Sequence, residues 1–361
     1  MKKIKFTGLL TRKKAVRYLI YILFVCVFAV FVIKLNQVEK TELVVRTGQT
    51  FEKAKVVKIL QDNLEENGTR VGEQKVRVRM LTGVRKGEEL DITSSSGYLF
   101  GAACKPGMKV IVMQSVAGDS TVASVYTQDR EGVIYIFALI YLLVLCLIGG
   151  KQGIKGCLGL VFTFFCVIFV YLPLVYLKYS PFWTAVFVCF ITTLVTMYLI
   201  GGPTRKTCAA TLGTLVGVIL AGVSAWCFSK ASGISGYNVS DIETLMTLWN
   251  TNRIQVGGLL FSGLLISCLG AVMDVAMSIS SAIDEIYRQN LSLSRKELFK
   301  AGLRVGRDMM GTDSNTLILA FAGSSVSTLL LDYSYNLPYQ QIINSNNIGI
   351  AIMQGLAGSF G

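Results

Sequence analysis

Long uncharged stretches decide what this chain can become. Apolar runs at about 16–34, 133–149, 154–177, 181–200, 207–228, 255–281 and 312–332 carry few or no charges. Roughly 20 apolar residues cross the hydrocarbon of a bilayer as a helix. A segment in lipid must satisfy every backbone N–H and C=O within itself, so each run is expected to be helical. About seven spanning helices follow, and the charges concentrate in 1–17, 36–131 and 282–308. The charged share, 16%, lies below the roughly 25% of a soluble domain for the same reason.

Lys and Arg collect on the cytoplasmic side of short flanking segments. With the N-terminus inside, the inner flanks hold seven cations in 1–17, Lys151 with Lys155, Arg205 with Lys206, and six in 282–310. The short outer loops hold only Lys178, Lys230 and Arg253. This asymmetry places 36–131 outside the cytoplasm and the protein in the plasma membrane as a multi-pass chain. The net charge of +13 then belongs to the span flanks, because 36–131 carries 14 cations against 13 acids. The lipid bilayer, with anionic lipid at its inner surface, is the expected partner, and nucleic acid is not. Residues 18–33 have the look of a signal-peptide core, but the following Phe31-Val32-Ile33-Lys34 lacks the small residues of a cleavage site. Residues 1–35 are read as a basic tail and an uncleaved anchor helix.

The segment 36–131 reads as an all-β domain. An extended run covers 54–60, and Lys75-Val76-Arg77-Val78-Arg79-Met80-Leu81 alternates with period two, one face basic and the other apolar. Turn signals at Gly83, Lys86-Gly87, Lys105-Pro106-Gly107 and Ala117-Gly118-Asp119 lead into strands at 89–92, 108–113 and 122–126. Five or so short strands at that spacing predict a small closed barrel, OB-like or SH3-like. Residues 132–361 form the transmembrane bundle. In its outer loop, Ser240-Asp241-Ile242-Glu243 is a capping-box pattern starting a helix over 241–250. Leu147-Ile148-Gly149-Gly150 recurs as Leu199-Ile200-Gly201-Gly202, 52 residues on, a spacing of one helical hairpin of the sort that repeats inside transporters.

Several chemistries are excluded outright. The chain has no histidine, which removes the usual triads and most zinc sites. Eight of the nine cysteines lie in or beside apolar runs, and only Cys104 falls in 36–131. Neither a GxxxxGK[ST] loop nor a GxSxG elbow occurs. No metal or cofactor is expected, and the chain is not read as an enzyme. An intramembrane enzyme would need Asp274 paired with Asp308 or Asp313.

An ionisable group inside a span is costly and needs a reason. Asp274 lies within the 255–281 run and Asp313 opens the next one. With Ser278, Asn315 and Thr316 they are candidates for a hydrated transport path, hydrogen-bonded helix packing being the alternative. Between these runs Ser294-Arg295-Lys296-Glu297 is a capping box opening a helix over about 295–309. Its cations Lys296, Lys300, Arg304 and Arg307 form one stripe, a candidate surface for anionic lipid or for a partner. Gly213-xxx-Gly217 and Gly302-xxx-Gly306 let helices approach closely.

The segments Gly270–Ser281, Gly306–Thr312 and Asn315–Ala320, with Gly201-Gly202, Arg205-Lys206 and Leu212–Gly217, resemble the signatures of the YibE/F family over about 130–361. The resemblance implies a bacterial multi-span membrane protein of unestablished activity, with some members described as permeases. Two departures stand out. Asp313 occupies a place where the family pattern has an apolar residue, and Ile348–Gly361 looks like the start of a further span. Fourteen residues are too few to cross, so this end is expected either to be cut short or to dip in and return. The expected function is a permease-like component, possessing neither cofactor nor catalytic residues, paired with another membrane subunit or a cytosolic ATPase. The alternative is a non-transporting scaffold or sensor whose barrel binds a partner.

Overall fold

The computed structural model describes residues 12–38, 48–66, 69–95, 101–117, 120–239 and 241–361. The basic tail before Arg12, the Gly118-Asp119 turn and the cap residue Ser240 lie outside the described residues. The chain divides into two compact units, Glu42–Val144 and Met1–Thr41 with Leu145–Gly361.

The first unit is built on five strands: β1 (Gln49–Gln61), β2 (Glu73–Met80), β3 (Glu89–Ser95), β4 (Lys109–Ala117) and β5 (Ser120–Gln128). They close into a barrel in the order β1-β2-β3-β5-β4, with β3 and β5 parallel and the other pairs antiparallel. This is the strand order of an OB barrel. The period-two alternation of β2 works as expected: Val76, Val78 and Met80 point into a core completed by Ala54, Val56, Ile92, Val110, Val112 and Val125. Strand β1 shifts its alternation by one residue at a bulge at Val57, so that Lys58 rather than Val57 stands opposite Arg77.

Three polar side chains of the barrel are buried, and each has a partner: Gln114 Nε2 donates to Met80 Sδ at 3.8 Å. Ser94 Oγ donates to Ala102 O (2.7 Å) and accepts from Ala102 N (2.9 Å). Gln74 Oε1 accepts from Cys104 N at 2.8 Å, while Nε2 donates to Cys104 O at 3.2 Å and to Asp62 Oδ1 at 3.0 Å. Asp62 itself is held below the usual carboxylate range by Arg70, 2.6 Å away. Burial pushes the Cys104 thiol up. In Gln74→Leu a buried peptide loses both partners, which costs about 2 kcal/mol. Peptide-mapped alkylation is expected to leave Cys104 untouched in the native protein at neutral pH and to label it in Gln74→Leu.

The second unit is helical. Among the described residues four helices are long and apolar enough to cross a membrane: Glu131–Tyr176, Pro181–Gly201, Arg205–Ser232 and Leu259–Gln289. A bent pair, Arg295–Ser324 with Val326–Ser334, makes a fifth when counted as one span. These lengths and compositions are those of a membrane protein. In chain order the elements are α1 (Arg12–Leu35), α2 (Glu131–Cys166), a π-helical turn (Val167–Tyr171), α3 (Leu172–Tyr176), α4 (Pro181–Gly201), α5 (Arg205–Ser232), α6 (Ile242–Asn252), α7 (Leu259–Gln289), α8 (Arg295–Ser324), α9 (Val326–Ser334), α10 (Tyr339–Ile343) and α11 (Asn346–Phe360). The expected first span corresponds to α1, of which Val25–Leu35 stands as a short apolar helix.

Three boundaries differ from expectation. The runs 133–149 and 154–177 join in one element whose only non-helical residue is Gly150 (φ 52°, ψ −131°). Residues 11 apart along a straight helix are separated by about 16 Å, yet Cys146 Sγ and Cys157 Sγ lie 3.5 Å apart. The chain therefore reverses at Gly150, and Glu131–Tyr176 is two arms rather than one straight span, matching the two expected runs with a one-residue break in place of a loop. With the other cysteines replaced, mild oxidation is expected to link Cys146 to Cys157 within one chain, seen as a mass loss of two hydrogens; a continuous straight helix gives no link. The second difference concerns α8. The surface helix expected at 295–309 and the span expected at 312–332 are one continuous helix to Ser324, because neither Gly311 nor Thr312 breaks it. Third, the span then bends by 57° into α9. At the bend Ser324 Oγ and Ser325 Oγ both donate to Phe321 O (2.7 and 3.3 Å), an arrangement that bends helices.

Other local features set the ends and contacts of the helices. Gly202 (φ 67°) ends α4 as Gly150 interrupts α2, and Gln152 Nε2 donates to Ile200 O (3.0 Å), joining the two copies of the repeat. Pro173 has no N–H for the carbonyl of Phe169; Asn36 Nδ2, from the end of α1, donates to it instead at 2.9 Å. The small-residue pairs bring helices together. A Cβ on Gly217 would meet Val272 at 2.5 Å, and one on Gly302 would meet Ile283 at 2.7 Å. These contacts place α5 against α7 and α7 against α8, with α11 laid on α5 and α8.

Candidate functional site

The site grows out of the α7–α8 hairpin. Ile283 packs on Gly302 and Ile279 on Gly306, so the two helices run antiparallel with closely approaching backbones. Continuing that register toward the other end of the pair brings Asp274 level with Gly311, two residues from Asp313. The two carboxylates are near enough for their charges to interact. Asp274 is exposed and, among the described residues, accepts no hydrogen bond. Asp313 is half-buried, and its Oδ2 is buried without a hydrogen-bond partner among the described residues. A buried carboxylate oxygen normally finds a donor, so this atom is set apart from the many satisfied groups around it.

The other candidates sort as follows. Ser278 is one turn along α7 from Asp274 and is exposed, as are Asn315 and Thr316 on α8. Thr316 Oγ1 donates to its own helix at Thr312 O (2.9 Å). No cluster of three or more His, Cys, Asp or Glu side chains able to hold a metal occurs among the described residues. What the arrangement offers is two acidic groups on facing helices, one exposed and one with an unused oxygen, beside small hydroxyls.

The capping box at the start of α8 is present as read: Ser294 N–H donates to Glu297 Oε2 (2.8 Å) and Glu297 N–H to Ser294 Oγ (3.3 Å). Lys296, Lys300, Arg304 and Arg307 are all exposed, while Leu298, Val305 and Met309 are half-buried and Gly302 is buried. Exposed Phe299, Leu303 and Met310 flank the cations, as on helices that lie at a lipid interface.

Sequence reasoning missed two hollows. One, about 980 Å³, lies between α4, α5 and α7, with Phe182, Trp183, Phe187, Phe190, Trp226 and Leu265 in its wall. The other, about 300 Å³, lies between α8, α9 and α11, with Ile318, Ile348 and Leu356 in its wall. Neither includes a charged residue in its lining, so neither belongs to the carboxylate site. Only the aromatic richness of 182–190 hinted at the first.

No curated protein and no solved structure matches this chain. Its helical part is another matter: residues 137–361, well over half the length, match the family described as YibE/F-like protein, and the chain belongs to the YibE/F family.

Proposed function

We propose that the protein is a permease-like component of a bacterial plasma membrane, in which a cation or proton passes along the α7–α8 seam. The observation that carries this reading is the unpartnered buried Oδ2 of Asp313 with the Asp274 carboxylate close by. Packing alone would close such an oxygen with a hydrogen bond, since leaving it unmade costs about 1–3 kcal/mol. A permeating cation, or a proton shared between two neighbouring acids, supplies what is missing. In this reading the N-terminus and the stripe of Lys296, Lys300, Arg304 and Arg307 face the cytoplasm and anionic lipid. A second membrane subunit or a cytosolic ATPase docks there. The barrel lies outside and gates the bundle or captures a partner.

The test is uptake into proteoliposomes under imposed proton and sodium gradients, native chain against Asp274→Asn. The native chain is expected to move a cation and Asp274→Asn to lose at least about tenfold in rate. Equal rates remove Asp274 from the mechanism. A non-transporting scaffold or sensor is the second reading, favoured by the barrel's own closed core; it predicts no flux from either protein.

A further inference from the structure

The outer face of the barrel carries charge in an arrangement that works against its stability. Lys55 on β1 stands directly opposite Arg79 on β2 and Lys109 on β4, and Lys58 stands opposite Arg77. Side chains so paired are about 5 Å apart, and like charges there are destabilising. The bulge at Val57 creates one of these pairs by turning Lys58 outward.

Part of the charge is neutralised. Arg77 makes two bonds to Asp91 (2.6 and 2.7 Å) and holds that carboxyl below its usual range, and Arg79 Nη2 reaches Glu89 at 2.8 Å. Lys58 also feels Asp91, and Lys53 pairs with Glu131. Lys55, Lys58, Lys75 and Lys109 are exposed and make no salt bridge among the described residues. Strand spacing and rise put the Cα atoms of these four lysines within a patch of about 10 by 13 Å. On the same outer face of β1, Phe51 stands edge-on to Tyr126 with ring centroids 5.1 Å apart, and both rings are about 40% exposed.

We propose that this face of the barrel binds an anionic polysaccharide, its carboxylates or phosphates on Lys55, Lys58, Lys75 and Lys109 and a sugar ring against Phe51 and Tyr126. Ammonium groups bind such anions strongly, and exposed rings offer an apolar face beside them. In OB barrels the face of strands 2 and 3 takes oligosaccharides and oligonucleotides; the cationic patch shares β2 with that face and extends across β1 to β4. The choice of saccharide rests on the outer placement of the barrel proposed above. A small barrel is also strongly curved, so a flexible chain follows cations spread over three strands where a flat bilayer meets only some of them.

The full chain, in nanodiscs of zwitterionic lipid, is titrated with a fluorescent polygalacturonate oligomer and separately with a single-stranded oligonucleotide. Saccharide affinity is expected to fall at least about tenfold in Lys55→Glu/Lys58→Glu and several-fold in Phe51→Ala. It is expected to stay unchanged in Lys296→Glu/Lys300→Glu. The barrel's melting temperature should hold or rise in Lys55→Glu/Lys58→Glu, because each new carboxylate faces an arginine. Unchanged affinity in either barrel variant, or a lowered melting temperature that accompanies the loss, overturns the proposal. Binding of neither polymer sinks the site itself, whereas tighter binding of the oligonucleotide overturns the saccharide and, with it, the outer placement.

Discussion

Gly217→Leu is expected to leave the protein unable to form its bundle. Gly217 sits on α5 where α7 crosses it: a Cβ there would lie 2.5 Å from Val272 Cγ1 and 2.7 Å from the carbonyl oxygen of Gly361. A leucine places four carbons in that space. Overpacking by a few methylenes costs about 1–3 kcal/mol and more when backbone must move, against a total stability of roughly 5–15 kcal/mol. The gain in helix propensity, about 1 kcal/mol at most, does not offset it. Loss of monodisperse protein after detergent extraction is the readout. Gly213 supplies the control. A Cβ at that position meets Ala276 at an ordinary 3.7 Å, so Gly213→Ala should fold as the native chain does. Val272→Ala should restore part of what a milder Gly217→Ala loses, since it removes the methyl group in the way.

Much of this architecture was legible before any coordinates. Strand β2 announces itself by alternation, and Ser294 with Glu297 announces the start of α8. Both signals are local: a residue and its neighbours two or three positions away settle them. The parallel pairing of β3 with β5 is set by barrel closure and leaves no mark in either strand. Within apolar runs, periodicity says nothing about where a helix turns, which is why the reversal at Gly150 was expected only as a loop between two spans. The same silence let a boundary be drawn at Gly311-Thr312, where α8 continues unbroken.

The candidate site divides along the same line. Asp274 and Asp313 were visible as acids in uncharged sequence. Their proximity follows from Ile283 on Gly302 and Ile279 on Gly306, a register that only packing fixes. The unpartnered oxygen of Asp313 has no signature in sequence at all. On the barrel, the basic face of β2 was plain from alternation, but the stand-off of Lys58 against Arg77 depends on a one-residue bulge.

The two carboxylates, if they handle one charge between them, must fail as a unit. Groups that act together are strongly non-additive when removed singly and jointly. Asp274→Asn, Asp313→Asn and the double substitution are therefore to be compared for gradient-driven cation uptake in proteoliposomes, at matched protein content and fold. Each single change is expected to lower the rate at least about tenfold, and the pair to be no worse than the poorer single. Uptake at the native rate in both single variants contradicts a carboxylate path along α7 and α8.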